Sequence, residues 1–146
     1  EARGDDALGV LLLRRIAARG LPDVETIEDY QLQIEHALDL EGFDAALFVD
    51  AIRDAPAPLV FREAAPGAAP APTTHALSPE AVLDVYVRIA ARAPPPAFVL
   101  AMRGELFGLG EGLSASGAAA LEAADAFCDL LLAECRLADW RRLSAA

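Results

Sequence analysis

The sequence predicts an α/β fold: an open, mostly parallel, twisted sheet with helices on both faces. Three observations carry that expectation. Helix-period and strand-like apolar segments alternate as helix–strand–helix–strand–strand–helix–strand–helix. Two strand segments, Ala45–Val49 and Ala97–Met102, are apolar on both faces, as buried parallel strands are. Acidic and imidazole side chains sit beside the segment ends, where open α/β sheets place their ligands.

Residues 5–19 read as the first helix. Leu8, Leu12 and Ile16 share a stripe, Asp5 or Asp6 can cap the start, and Gly20-Leu21-Pro22 stops it. Val24–Ile27 is a short strand candidate. Residues 33–40 are weakly helical and end at Gly42. Ala45–Val49 is the clearest strand and is expected at the sheet centre, ending on Asp50. Leu59–Arg62 makes a further strand at an edge, and the alanine- and proline-rich stretch 64–72 is an extended loop. Ser78-Pro79-Glu80 is a strong helix start: a capping hydroxyl, proline at the first turn, and an acid beside the dipole. Val82, Val85, Tyr86 and Ile89 form the buried stripe of that helix, which Pro94-Pro95-Pro96 ends. Ala97–Met102 is the last strand, Arg103–Leu113 a glycine-rich loop, and Ser114 or Ser116 opens a long helix over 117–137. Its seam is Leu121, Ala124, Cys128, Leu131 and Cys135.

At 146 residues the chain suits a single domain, 1–146, with a real core. It is 55% hydrophobic, with mean hydropathy +0.32, which argues against disorder. Charges or prolines interrupt every apolar run well short of the ~20 residues that span a bilayer, so no membrane partner is expected. A net charge of −11 disfavours nucleic acid, whose phosphates need a basic patch. All twelve basic residues are Arg, so no mechanism that needs a lysine is available. Cys128 and Cys135 are seven apart on one expected helix, roughly 10 Å, too far for a disulfide. They read as small core residues in a reducing, cytoplasmic setting.

Asp6 at the start of the first helix, Asp50 at a strand end and His75 in the loop before Ser78 are expected on one edge of the sheet. Two carboxylates and an imidazole around one cleft make a divalent-metal site. Each also has a plainer reading: a helix cap for Asp5 and Asp6, a turn residue for Asp50, an exposed loop side chain for His75. His36 reads as a surface residue. The Gly104–Gly112 segment has no Lys and two Glu, so it is no phosphate loop but a flexible, substrate-facing one. Serine-elbow, zincin and cysteine–histidine hydrolase patterns are missing.

Together, Arg3-Gly4-Asp5-Asp6-Ala7-Leu8-Gly9, Phe48-Val49-Asp50-Ala51, His75-Ala76-Leu77-Ser78-Pro79 and Gly112-Leu113-Ser114 resemble the motifs of the nickel–iron hydrogenase maturation endopeptidases. The resemblance covers nearly the whole chain. It implies an endopeptidase that removes the C-terminal extension of a hydrogenase large-subunit precursor once nickel is inserted. It also implies that Asp6, Asp50 and His75 recognise nickel carried by that precursor rather than stored by the enzyme, with Asp6 and Asp50 as catalytic candidates. The chain is then expected to be a cytoplasmic monomer until it meets its substrate, whose tail a negative protein would attract if basic. Departures are visible. The family's opening strand and Gly-Asn are expected ahead of Glu1, so the chain reads as processed or excerpted, and Glu28–Gln33 replaces a glycine-rich motif.

The alternatives are a receiver-like signalling domain and a non-catalytic interaction domain of the same fold. A receiver shares the acidic pair and the strand-end Asp but needs a Lys that this chain lacks. His75 discriminates, since only the endopeptidase reading puts it at the metal site.

Overall fold

The computed structural model describes residues 4–29, 31–67, 77–108, 110 and 112–145. His75 and residues 68–72 of the expected loop therefore lie outside the described residues. A 3-10 turn, Gly4–Ala7, leads into α1 (Leu8–Ala18). A second 3-10 segment, Ile34–Leu40, precedes β1 (Ala46–Arg53) and β2 (Leu59–Ala64). Then come α2 (Pro79–Ala90), β3 (Ala97–Gly104), α3 (Ala115–Glu134) and α4 (Leu137–Ala145). The strands form a mixed, open sheet in the order β1-β3-β2, which is the α/β architecture expected.

The order corrects one expectation. Of the three strands β3 is the central one and β1 lies at an edge. Every β3 residue but Arg103 is buried, whereas β1 is half-buried at best. Both open with an uninterrupted apolar run, Ala45–Val49 and Ala97–Met102, so composition alone could not rank them; neighbours on both sides did. β2 is at the other edge, as expected. Val24–Ile27 is not a strand: its Ile27 is exposed and the segment joins no sheet. β-branched residues fit a strand, but pairing makes one.

The chain divides into two compact units, Glu1–Tyr30 with Val49–Phe61 and Leu100–Ala146, and Gln31–Phe48 with Arg62–Val99. In the first, α1 packs on α3. Leu8, Leu12 and Ile16 form the predicted stripe, buried along with Val10, and α3 buries Leu121, Ala124, Cys128 and Leu131. Arg15 pairs with Glu122 and Asp125, and Arg19 with Asp125 and Asp129. Phe61 meets Phe127 edge-on at 5.1 Å between centroids, and the Trp140 indole N–H donates to the Leu131 carbonyl at 2.9 Å. The long helix expected over 117–137 is broken. Cys135 adopts a left-handed conformation (φ 51°) between α3 and α4, which takes it out of the seam and leaves it exposed.

In the second unit, Ala37, Leu40, Ala64, Val82, Leu83, Tyr86, Ala97 and Val99 form one cluster. Ser78 caps α2 by accepting from the Ala81 amide at 3.1 Å, with Pro79 in the first turn, as its sequence announces. Ile89, expected in the stripe, is exposed instead; Leu83 fills the buried face. Glu41 accepts from the Tyr86 hydroxyl at 3.1 Å and pairs with Arg92. His36 is more than a surface residue: its Nδ1 accepts from the Gln33 amide at 2.8 Å, closing a capping box on the 34–40 segment. No helix of the described residues is long and apolar enough to cross a membrane.

Candidate functional site

The two neighbouring carboxylates at the chain start part company. Neither caps α1, whose N-cap is Ala7 with no side-chain hydrogen bond. Asp5 is completely buried. Its Oδ2 accepts from the amides of Glu105 (2.6 Å) and Leu106 (3.1 Å) and from the Ser114 hydroxyl (2.6 Å), and its Oδ1 accepts from the Ser114 amide (2.9 Å). The Asp5 amide in turn donates to the Leu106 carbonyl at 2.5 Å. Burial pushes the Asp5 carboxyl up, but these donors, Glu105 and Ser114 foremost, outweigh it and hold the group below its ordinary value. The Ser114 hydroxyl also accepts from Gly117 at 2.8 Å, so one side chain caps α3 and anchors Asp5.

Glycines make this packing possible. Gly4 has φ +59°, and a Cβ there would overlap the Leu106 carbonyl. At Gly104 a Cβ would stand 2.7 Å from the Asp5 Cβ, and at Gly117 it would overlap the Asp5 carboxylate.

Asp6 faces solvent. Gly9, three residues on, lets α1 approach β1 so closely that a Cβ would lie 3.2 Å from the Val49 carbonyl. Asp50 lies within β1, at its one exposed position before Arg53, rather than after the strand as expected. Its carboxylate accepts from the adjoining Ala51 amide at 2.8 Å. Burial of the carboxyl raises its pKa, the Ala51 amide partly offsets this, and the nearby negative charge of Asp6 raises it again. Among the described residues no cation pairs with either carboxylate. Oxygen donors that repel one another at an exposed strand position suit a hard or borderline divalent cation.

Asp6 thus lies near enough to Asp50 for its charge to act on it. The structure holds no group of three or more potential ligands among the described residues, which do not include His75. Close by, Arg53 stacks over the Phe107 ring at 4.7 Å and donates to the Glu105 carbonyl at 3.2 Å. Cys128 is no nucleophile: burial pushes its thiol up to about 11. Asp5 is the residue that sequence reasoning missed. Its partners lie 100 or more positions away, and no local pattern marks which of two adjacent acids turns inward.

No protein-family model matches the chain, and no curated protein does. Solved structures do share its fold. The hydrogenase maturating endopeptidase HybD from E. coli is 24% identical with a TM-score of 0.65, over 90% of this chain and 86% of its own. The NiFe hydrogenase maturation protease HycI from Thermococcus kodakarensis KOD1 is 23% identical with a TM-score of 0.62, over 92% of this chain and 87% of its own. The HybD protease of Thermococcus kodakarensis is 17% identical with a TM-score of 0.61, covering 90% and 92%. The fold implied by the sequence motifs is the fold observed.

Proposed function

We propose that this protein is a hydrogenase maturation endopeptidase, removing the C-terminal extension of a nickel–iron hydrogenase large-subunit precursor after nickel insertion. The observation that supports the reading is the charge of Asp6 acting on Asp50, on a fold shared with maturation proteases. Nickel belongs to the substrate here. Asp6, Asp50 and His75 take the role of recognising it, leaving positions for the precursor's own ligands.

Cleavage is a hydrolysis: the oxygen of a water bonds to the scissile carbonyl carbon, the amide C–N bond breaks, and a proton passes to the leaving amine. A carboxylate with raised proton affinity beside a second carboxylate can accept and return that proton. Asp50 fits this role, with Asp6 as the charge that tunes it. The enzyme acts in the cytoplasm as a monomer until it docks its precursor.

The test is cleavage of nickel-loaded and nickel-free precursor, read as loss of the tail mass. Only loaded precursor should be cut. Asp6→Asn, Asp50→Asn and His75→Ala should each slow cutting by about 100-fold or more. Cutting that ignores nickel, or that survives an Asp6→Asn/Asp50→Asn double substitution, overturns the reading.

A further inference from the structure

We infer that Asp5 is the positioning residue of this site: its carboxylate pins both ends of the glycine-rich loop to the residue next to Asp6. The inference rests on the reading of Asp6 and Asp50 as the nickel-recognising pair. Glu105 and Leu106 begin that loop, and Ser114 follows its end; all three donate to the one Asp5 carboxylate. Leu106 is tied twice, because its carbonyl also accepts from the Asp5 amide.

The arrangement is costly to build. It buries an ionised group with no cation partner among the described residues, packs it against Gly104 and Gly117, and satisfies it with N–H and O–H donors. An apolar side chain in the same space would leave the Glu105, Leu106 and Ser114 donors without an acceptor, so the carboxylate and its donors stand or fall together. What a multiply hydrogen-bonded carboxylate adds is a fixed position for each of its donors. Here the fixed objects are the backbone carrying Asp6, the loop start with Leu106 and Phe107, and the N-terminus of α3. Arg53, three residues beyond Asp50 on β1, bonds to the Glu105 carbonyl at the same loop start. The loop and both carboxylates of the pair are therefore indexed to one another through Asp5.

The chemistry specifies the variants. Asp5→Asn keeps the shape but presents an amide N–H to a donor whichever way it turns, because both carboxylate oxygens accept. Nickel(II) alone serves as the probe, its affinity measured by calorimetry on the whole chain well below the unfolding temperature. Amide hydrogen exchange at Leu106 and Ser114 is read in parallel. Asp5→Asn should lower the affinity of the folded protein about tenfold and speed exchange at both amides. Leu131→Ala, a core truncation in α3, should lower Tm and leave affinity unchanged, which separates positioning from mere stability. If Asp5→Asn does not fold, Ser114→Ala takes its place, removing one donor, with an expected loss of about threefold. A folded variant whose affinity stays within twofold of the wild type overturns the positioning role while leaving the proposed function intact. Nickel binding that is missing, or indifferent to Asp6→Asn and Asp50→Asn, overturns the site reading and the positioning role with it.

Discussion

Asp5 and Asp50 carry the same functional group, and the protein treats them in opposite ways. Asp5 is sealed from water, yet four donors keep it ionised below its usual range. Asp50 has one adjoining amide, too little to offset the burial of its carboxyl, which pushes its proton affinity up, and the negative charge of Asp6 adds to the rise. Burial pushes both carboxyls up; the number of donors around each decides which one stays ionised below its usual range. Satisfied charge builds the scaffold. Unsatisfied charge is where a ligand gains most.

The contrast is broken most sharply at Asp5. Asp5→Ala leaves three amides and a hydroxyl inside the protein without an acceptor. It should destabilise the fold by about 3 kcal/mol or more, measured by urea unfolding at neutral pH. Gly117→Ala attacks the same cluster from the α3 side by driving a methyl group into the Asp5 carboxylate. A loss of about 2 kcal/mol is expected, against the small gain that alanine normally brings inside a helix.

Acid separates the two carboxylates by sign. Folding lowers the Asp5 pKa, so its contribution is complete above the ordinary value of 3.8 and disappears as pH falls through the folded-state value. The stability gap between wild type and Asp5→Asn should therefore close in acid. Folding raises the Asp50 pKa, so its charge opposes folding: stability falls as pH rises from 3.8 through the folded-state value. Asp50→Asn should then raise Tm at neutral pH by about 1–2 °C and lose that gain below pH 3.8. This is the smallest effect and the most telling, because a substitution that removes activity while stabilising the protein marks a functional residue.

The parts of the fold legible in the sequence are those whose causes are local. Ser78-Pro79-Glu80 contains its own capping bond, and the Leu8, Leu12, Ile16 stripe contains its own periodicity. β3 was recognisable as a strand but not as the centre, because centrality depends on two neighbours chosen elsewhere in the chain. Cys135 fell out of its predicted seam because a single left-handed residue ends α3, and nothing in the sequence marks that position with glycine. At the candidate site, Asp6 and Asp50 were picked out by expected segment ends, and Asp50 lies within β1 instead of after it. Asp5 was not picked out, since it is defined by amides at 105, 106 and 114 that no spacing rule connects to it.

The most direct test of the division of labour is anomalous diffraction from a crystal of this protein soaked in nickel or cadmium. The account predicts a peak bound by the carboxylates of Asp6 and Asp50, completed by His75, with Asp5 still held by Glu105, Leu106 and Ser114. A peak ligated by Asp5, or a cleft at Asp6 and Asp50 without metal at saturating soak, would contradict it.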